Sequence, residues 1–596
     1  MPPLEFYKQK IDLLQTDLNL LIKKKSSLGW LRFAVITCAA AGFYFLLPYS
    51  IWYALAMLVF LMIIFVRLVL ADHKNKSSIN HLKTLIQINE DELNAIAENY
   101  YHFKNGSELK PKEHLYANDL DIFGHASVFQ FINRTRSEMG SSTLAYWLLN
   151  PAPHETILKR QAAVKEISVQ TAWRQELQAF GAAEKIQTST TQRLEKWFAE
   201  DYNFIKSKYW LLAGYLVPSL VFTVIILNLT DVFNNYTRNY FLLAAALFAF
   251  YVSKKVTPMH HQVSKMTGEL EVLNQSIKLI EETNFKSAFL QDLQKQFIQD
   301  NNTASKQIKQ LKKILERFDL RFNFVVFIPL NILLQWDLQQ IIALEKWKQH
   351  NHEHALNWFK MLGEFEAISS LANLSFNHPA WCFPLLKEDH FYIEGKEVGH
   401  PLIKASTCVD NPIKIEHKGE VMLVTGSNMA GKSTYLRSIG VNTILAMAGA
   451  PVCAAYFCLS PVQIISSMRI ADNLEESTST FYAELKKLKT IIDMVNNNEK
   501  VFILLDEILR GTNSLDRHTG SAALIKQLIK HNAACIIATH DVELAKLKEE
   551  YPVNILNYHF DVQVNNEELY FDYKLKEGIC TSLNASILMK KIGIEL

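Results

Sequence analysis

Residues 421–434 read Val-Met-Leu-Val-Thr-Gly-Ser-Asn-Met-Ala-Gly-Lys-Ser-Thr, an apolar run that leads into a glycine-rich segment. From Gly426 to Ser433 the segment satisfies every fixed position of the phosphate-binding pattern G-x-x-x-x-G-K-[ST]. Residues 421–424 predict a buried strand, and 435–448, which contain no proline, predict a helix. Glycines let backbone N–H groups face an anion, and a helix N-terminus is partly positive. The sequence therefore predicts a nucleoside triphosphate site.

Lys432 and Ser433 carry the specific chemistry of this loop. We expect Lys432 to reach the β- and γ-phosphates and the Ser433 hydroxyl to bind Mg²⁺. The alternative is a chance glycine-rich loop, and the strand and helix around the segment argue against it. The predicted nucleotide-binding residues are Gly426, Ser427, Asn428, Met429, Ala430, Gly431, Lys432, Ser433 and Thr434.

Two further apolar runs end in residues suited to phosphate chemistry. Residues 501–505 precede Asp506 and Glu507, as when a parallel strand covered on both faces delivers carboxylates to the carboxyl edge of a sheet. Asp506 is predicted to complete the Mg²⁺ site, and Glu507 to orient or deprotonate the attacking water. Residues 534–538 precede Thr-His-Asp, so His540 is placed to sense the γ-phosphate. Taken alone, a histidine after a strand is more often an ordinary loop residue, but its position as the third of three ordered strand-end motifs favours a role for His540 in the site.

Together these motifs resemble the ATPase domain of the MutS family of DNA mismatch repair proteins. The resemblance rests on residues 425–434, 506–512 and 538–540 in that order, and it covers about 385 to 596. It implies a P-loop ATPase of the MutS/ABC class that binds ATP and Mg²⁺ and works as a dimer. A signature serine of the family reaches the nucleotide of the other subunit, and the resemblance assigns that trans contact to Ser479.

The sequence also departs from the family pattern. Leu509 stands where the family usually has glycine, and Ala430 stands where the second of two glycines is common. Cys408-Val409 occupy a place where an aromatic residue often packs near the base. Residues 120–123 and 133–140 resemble the start of the family's helical core, whereas nothing before Leu120 resembles its mismatch-recognition domain. The resemblance therefore implies the core and the ATPase without the mismatch-recognition domain.

Four apolar segments are candidates for membrane spans. Residues 30–47 and 51–70 are each about long enough to cross a bilayer, so they predict a transmembrane helical hairpin. Residues 209–229 and 238–253 predict a second hairpin, whose last segment is short. Residues 322–334 are apolar but too short for a span. The alternative is that these segments are buried helices of a large soluble protein.

Lysines flank both predicted hairpins on one side, and the connecting loops carry almost none. The flanking residues are Lys23, Lys24, Lys25, Lys74, Lys76, Lys206, Lys208, Lys254 and Lys255. The positive-inside rule then predicts a multi-pass protein of the inner (cytoplasmic) membrane. Its ATPase domain would lie in the cytoplasm.

Composition limits the partners less than the motifs do. The 596 residues include 62 Lys and Arg against 60 Asp and Glu, so a net charge of +2 provides no bulk basic signature for nucleic acid. A basic stretch from Lys306 to Arg317 is better explained as a solvated helix face. Seven cysteines without a C-x-x-C pair favour a reducing compartment and argue against a zinc site.

The predicted fold class is a multidomain α and α/β protein. Residues 1–110 form an N-terminal helix and hairpin, 111–380 an all-helical core and lever domain interrupted by the second hairpin, and 381–596 the ATPase domain. Helical periodicity at 263–280 and 334–344 resembles the family's lever helices, and a local coiled coil explains it equally well.

Three functions fit these observations. The leading hypothesis is a membrane-anchored ATPase that hydrolyses ATP in a dimeric composite site and binds DNA in mismatch repair or DNA maintenance. An ATP-gated membrane scaffold that does not bind DNA is one alternative. An ABC-type transport-coupled ATPase is another, although no L-S-G-G-Q signature precedes 504–507. The implied partners are a second copy of the chain, the membrane, double-stranded DNA, and other membrane or repair proteins.

Overall fold

A computed structural model describes residues 2–200, 207–299, 302–388, 391–427, 429–468, 480–565 and 568–579. Helices dominate up to Asn377, and two larger sheets lie beyond it. The helices are α1 (Pro3–Leu46), α2 (Ile51–Ile96), α3 (Val128–Ile132), α4 (Glu138–Leu149), α5 (His154–Ser168), α6 (Thr171–Ala183), α7 (Thr188–Ala199), α8 (Lys208–Leu229), α9 (Asn235–Val263), α10 (Thr267–Glu282), α11 (Ala288–Lys295), α12 (Ala304–Phe318), α13 (Phe324–Leu334), α14 (Trp336–Asn351), α15 (Ala355–Asn377), α16 (Lys432–Ala448), α17 (Thr480–Asn496), α18 (Ser514–Lys530) and α19 (Leu547–Glu550).

The strands within the described residues fall into three sheets. They are β1 (Ile298–Gln299), β2 (Asn302–Thr303), β3 (Leu385–Leu386), β4 (Ile393–Val398), β5 (Asn411–Ile415), β6 (Val421–Thr425), β7 (Tyr456–Leu459), β8 (Gln463–Ser467), β9 (Val501–Asp506), β10 (Ala534–Thr539), β11 (Ile555–Asn565) and β12 (Glu568–Glu577). This mixture of helical and α/β parts agrees with the predicted fold class. The pair β1–β2 corrects one detail, because the region 111–380 is not entirely helical. These strands let the backbone between α11 and α12 pair with itself.

The first two apolar segments belong to helices much longer than a span. At 1.5 Å per residue, the 44 residues of α1 and the 46 of α2 extend about 66 and 69 Å. Their polar ends pack side by side, where Asn75 Nδ2 donates to the carbonyl of Leu21 at 3.0 Å. The Arg32 guanidinium lies 3.2 Å from the Asp72 carboxylate. The two helices therefore form one continuous antiparallel pair.

Four helical stretches in the described part of the chain are long and apolar enough to cross a membrane. They are Pro3–Leu46, Ile51–Ile96, Lys208–Leu229 and Asn235–Glu282. A fifth arises if α13 and α14, which meet at a bend of 79°, are taken together. The finding concerns length and composition only, so membrane insertion stays a prediction.

The sheet that contains β6, the strand before the glycine-rich segment, has six strands in the order β12-β11-β6-β10-β9-β8. Neighbours from β8 to β11 run parallel, and β12 returns antiparallel to β11. The central strands β6, β9 and β10 are buried along their whole length, which explains their continuous apolar sequences. Thr425 is in register with Thr539, and Ala538 with Asp506, so the carboxyl ends of these strands meet at one edge.

The helical region joins this sheet through the segment before α3. The amide of Ser466 in β8 donates to the carbonyl of Leu115 at 3.0 Å. A Cβ atom on Gly440 of α16 would lie 2.9 Å from Leu120 Cδ1 and 2.9 Å from Leu504 Cδ1, so glycine permits this close packing. The domain boundaries at 110 and 380 stay predictions.

Candidate nucleotide site

The glycine-rich loop connects β6 to the N-terminus of α16. Gly426 and Gly431 have φ angles of 145° and 106°, in the region that favours glycine. A Cβ atom on Gly426 would lie 2.8 Å from the carbonyl oxygen of Phe560, so the neighbouring strand also requires glycine there. Helix α16 begins at Lys432, three residues earlier than its apolar sequence predicts, and places its free N–H groups at the loop.

Lys432 lies at the centre of the site. Its buried ammonium group donates to the carbonyls of Gly426 and Ser427 at 2.7 and 2.9 Å. It also lies 3.4 Å from Nε2 of His540. The strand-end histidine and the loop lysine therefore share one space, as the order of the motifs predicts.

Ser433 and Asp506 meet directly, because the Ser433 hydroxyl donates to Asp506 Oδ2 at 2.6 Å. Asp506 ends β9 and is buried. A hydroxyl and a carboxylate oxygen at the mouth of a phosphate loop are the hard oxygen ligands that Mg²⁺ prefers, so this pair fits the metal.

Glu507 is held between two basic side chains. Its Oε1 lies 2.5 Å from His540 Nε2, and its Oε2 lies 3.0 Å from Arg510 Nε. Burial and the Lys432 charge lower the pKa of His540, and the Glu507 carboxylate partly opposes this shift. A neutral imidazole carries a single N–H, and in His540 this group can donate to the Glu507 carboxylate and keep it in place.

The turn after Glu507 requires a backbone conformation at Leu509 that favours glycine, which is the usual residue at this position in the family that the sequence resembles. Leu509 has a φ angle of 59°, a left-handed conformation that costs an ordinary side chain about 1–2 kcal/mol. Its N–H donates to Glu484 Oε1 at 2.5 Å, and burial raises the pKa of that carboxyl. Ala430 has no positive φ angle, so the other departure carries no such cost.

Sequence reasoning missed two residues at this turn. Arg510 reaches back to Glu507 and also donates to the backbone carbonyl of Asp506 at 3.1 Å. The spacing of three residues between Glu507 and Arg510 is the sequence feature that could have indicated this ion pair. Glu484 lies on α17 and fixes the turn through Leu509, and this pairing of distant segments had no local signal.

A cavity of about 380 Å³ opens beside the loop, within the size range of small-molecule sites. Its walls are Val398, His400, Ile403, Thr407, Cys408, Val409, Asn411, Ser427, Met429, Ala430, Gly431, Lys432, Ser433, Thr434, Tyr435, Ser438, Glu507, Phe560 and Tyr573. Cys408 and Val409 do line the cavity, and its aromatic walls are Tyr435, Phe560 and Tyr573. The last two come from β11 and β12, strands that the sequence analysis did not assign to the site.

The structure brings most of the predicted residues together. Lys432, Ser433, Asp506, Glu507 and His540 form one connected cluster. Asn428 and Ser479 lie outside the described residues. The individual roles assigned to the site residues stay predictions.

Comparison with known proteins finds similar sequences for the part of the chain that forms this site. The family profile "MutS domain V" matches residues 422–590. The DNA mismatch repair protein MutS of Aquifex pyrophilus is 36% identical over 225 residues, 37% of this chain and 25% of that protein. The MutS of Thermotoga sp. (strain RQ2) is 30% identical over 256 residues, 42% of this chain and 31% of that protein. The human MutS protein homolog 4 is 27% identical over 350 residues, 56% of this chain and 37% of that protein.

The matched part thus spans about a quarter to somewhat over a third of these relatives. The match covers the phosphate loop, both strand-end motifs and the strands that complete the cavity. Residues 422–590 of the chain are therefore similar to domain V of MutS.

Proposed function

We propose that the chain is a membrane-anchored ATPase that binds ATP with Mg²⁺ at the 380 Å³ cavity and hydrolyses the γ-phosphate. The convergence of Lys432, Ser433–Asp506 and Glu507–His540 on one sheet edge carries this proposal. Lys432 binds the phosphates, and Ser433 with Asp506 holds Mg²⁺, which would neutralise phosphate charge. Glu507 takes the proton of the attacking water, and His540 keeps Glu507 in place.

The test compares the full-length, detergent-solubilised protein with two lysine variants. Lys432→Ala should lose at least tenfold in ATP affinity, because it removes the cation that faces the phosphates. Lys526→Ala is the matched control, since Lys526 lies on α18 away from the cavity and is paired with Glu550. Equal binding by all three proteins contradicts the proposal.

The active unit is a dimer in which Ser479 of each subunit completes the partner's nucleotide site. The family resemblance supports this arrangement. A mixing experiment tests it, because Lys432→Ala and Ser479→Ala chains are each inactive alone but form one intact site when paired. Random pairing of equal amounts makes about half of the dimers mixed, and each mixed dimer has one intact site of two, so about a quarter of the wild-type activity is expected. Failure to recover activity in dimers shown to be mixed contradicts a trans contact.

The two hairpins anchor the ATPase to the inner membrane with the site in the cytoplasm. The apolar helices and the lysine flanks support this orientation. Sodium carbonate should leave the chain in the membrane fraction. Protease added outside intact spheroplasts should leave the ATPase domain uncut until the membrane is permeabilised. Release by carbonate contradicts anchoring, and cleavage in intact cells contradicts the orientation.

The ligand controlled by ATP is proposed to be double-stranded DNA, in mismatch repair or DNA maintenance. The similarity to DNA mismatch repair proteins supports this proposal. A DNA-free membrane scaffold is the second candidate, because the basic stretch on α12 is partly neutralised: Lys312 lies 2.6 Å from Glu271 and 3.4 Å from Glu316.

Duplex binding by the Glu507→Gln protein separates the two candidates. Matched and mismatched duplexes are titrated with and without ATP over a range of salt. Affinity that falls with salt and changes with ATP supports DNA, and a preference for mismatches supports repair. Absence of binding at low salt favours the scaffold.

A further inference from the structure

Helix α13 leaves a continuous apolar face uncovered. No charged residue lies between Arg321 and Asp337. Val325 is 83% exposed, and Phe322, Phe324 and Ile328 are also exposed. Contiguous apolar surface of this kind marks a site of contact with a protein or a membrane.

The chain enters and leaves this helix on the same side. Arg321 Nη2 donates to Thr257 Oγ1 of α9 at 2.6 Å, before α13 begins. Gln335 Nε2 then donates at 3.2 Å to the carbonyl of Ala245, about three turns nearer the N-terminus of α9. Asp337 then accepts a hydrogen bond from Ser253, which lies nearer to Thr257 than Ala245 does along α9. The path is therefore a re-entrant turn whose innermost point is Gln335.

The helices on either side of the turn confirm that it reverses. Helices α12 and α14 run antiparallel, since Trp336 Nε1 donates to the carbonyl of Arg317 at 2.9 Å and Trp347 Nε1 to that of Gln307 at 2.8 Å. Helix α14 also packs on α8, where a Cβ atom on Gly214 would lie 3.3 Å from Ile342 Cδ1. The turn thus sits against both helices of the second hairpin.

Several polar groups near the 79° bend are bonded inside the protein, although Gln335 Oε1 accepts no hydrogen bond from the described residues. The N–H of Asp337 donates to Asn331 Oδ1 at 3.1 Å, and Asn331 Nδ2 donates to Ser253 Oγ at 3.3 Å. Asn331 and Asp337 are buried against α9, while the apolar side chains point outward. Broken helices at membrane depth require this arrangement, because lipid supplies no hydrogen bonds.

We propose that α13 is embedded in the cytoplasmic leaflet of the bilayer, where lipid acyl chains cover its apolar face. This inference rests on the proposed anchoring of the second hairpin. Lipid is favoured over a protein partner because α8 and α9, on which α13 packs, also expose apolar side chains, including Tyr215, Phe222, Leu243 and Phe250. The anchor then contains four spans and one element that enters a single leaflet.

The test measures depth in the full-length chain. A fluorescent noncanonical amino acid replaces Val325, and the protein is reconstituted in vesicles of phosphatidylcholine and phosphatidylglycerol. The vesicles contain lipids brominated either near the carbonyl or near the end of the acyl chain. The same label at Phe222 in α8 reports anchoring, and at Leu158 in α5, which is 43% exposed, it reports a solvated surface.

We expect the label at 325 to be quenched severalfold, more by the shallow bromines than by the deep ones. The label at 222 should be quenched and the label at 158 should not. Quenching at 222 without quenching at 325 overturns the embedding of α13 and leaves the anchor intact. Stronger quenching at 325 by deep bromines overturns the single-leaflet placement. Absence of quenching at 222 removes the anchor, and with it this inference.

Discussion

Lys487 Nζ donates to Asp119 Oδ2 at 2.6 Å, and the Asp119 side chain is only 1% exposed. The Ser466 hydroxyl donates to the same oxygen at 2.8 Å. This carboxylate therefore joins the segment before α3 to both β8 and α17. Because α17 begins at Thr480, the contact fixes the helix that directly follows Ser479.

Removing the cation of this pair should cost more stability than neutralising the anion. Lys487→Met leaves a buried carboxylate without its ammonium partner, a loss of about 3 kcal/mol, whereas Asp119→Asn should cost about 1 kcal/mol, since Lys487 is 28% exposed and can turn to water. Lys486→Met is the control, because Lys486 is 69% exposed. Thermal unfolding of the solubilised chain measures all three. A larger drop in Tm for Asp119→Asn than for Lys487→Met contradicts the assignment.

Glu507→Gln should separate ATP binding from hydrolysis. The amide cannot take a proton from water, so turnover should fall at least about 100-fold while ATP affinity changes by less than about threefold. Single-turnover hydrolysis and equilibrium binding give the two numbers. Glu543→Gln is the matched control, since Glu543 pairs with Lys546 away from the cavity. Normal turnover in Glu507→Gln would sink the role given to this carboxylate.

The Mg²⁺ requirement should depend on Asp506. Chelation with EDTA should stop hydrolysis in the wild-type protein. Asp506→Asn removes the charge beside Ser433, so half-maximal activity should need at least about tenfold more Mg²⁺. Titration of hydrolysis against free Mg²⁺ measures the shift. An unchanged Mg²⁺ curve in Asp506→Asn places the metal elsewhere.

His378 should make the protein less stable in mild acid. Its ring stacks on Trp381 with a centroid distance of 4.4 Å, and burial with the nearby Arg134 charge lowers its pKa to about 4, although Glu92 opposes the shift. The unfolded chain has a histidine pKa of about 6.5, so it binds the proton first as pH falls. The free energy of unfolding is therefore unaffected by His378 protonation above about pH 6.5. It falls by at most about 3 kcal/mol as the pH drops from there to about 4.

The His378→Phe variant keeps the stacking and removes the titration. Its Tm should fall less than the wild-type value between pH 7 and pH 5. Replacement of the exposed His417 by Phe is the control and should not alter the pH dependence. Loss of the Glu92–Arg134 pair enters at lower pH, because hydrogen bonds and the Arg134 charge, acting against burial, hold the pKa of Glu92 below its usual value. Parallel Tm curves for wild type and His378→Phe contradict this account.

The sequence predicts the strands at the carboxyl edge of the sheet well, because each strand has a local apolar pattern. Residues 501–505 and 534–538 are continuous apolar runs of strand length, and strands β9 and β10 extend them by the single residues Asp506 and Thr539. Parallel strands then bring their following residues together without further information. The same reasoning predicts the hairpin segments, whose hydropathy is local as well.

Contacts between residues far apart in the chain are not predicted by local sequence patterns. Asp119 and Lys487 are separated by 368 positions, and no local pattern connects them. Strand β12 pairs only by folding back on β11, so its place beside the phosphate loop follows from packing. The length of α1 was also missed, because hydropathy marks an apolar core, whereas the helix continues through polar residues to Pro3.

The place of Phe560 and Tyr573 in the cavity wall sets an order of events during synthesis. The ribosome makes residues 30–70 early, so the first hairpin can enter a bilayer while the remaining chain is still being translated. About 500 residues lie between that hairpin and Tyr573, which at roughly 5–20 residues per second is about half a minute to two minutes. If the first hairpin inserts as proposed, nascent chains are tethered before they can close around a nucleotide.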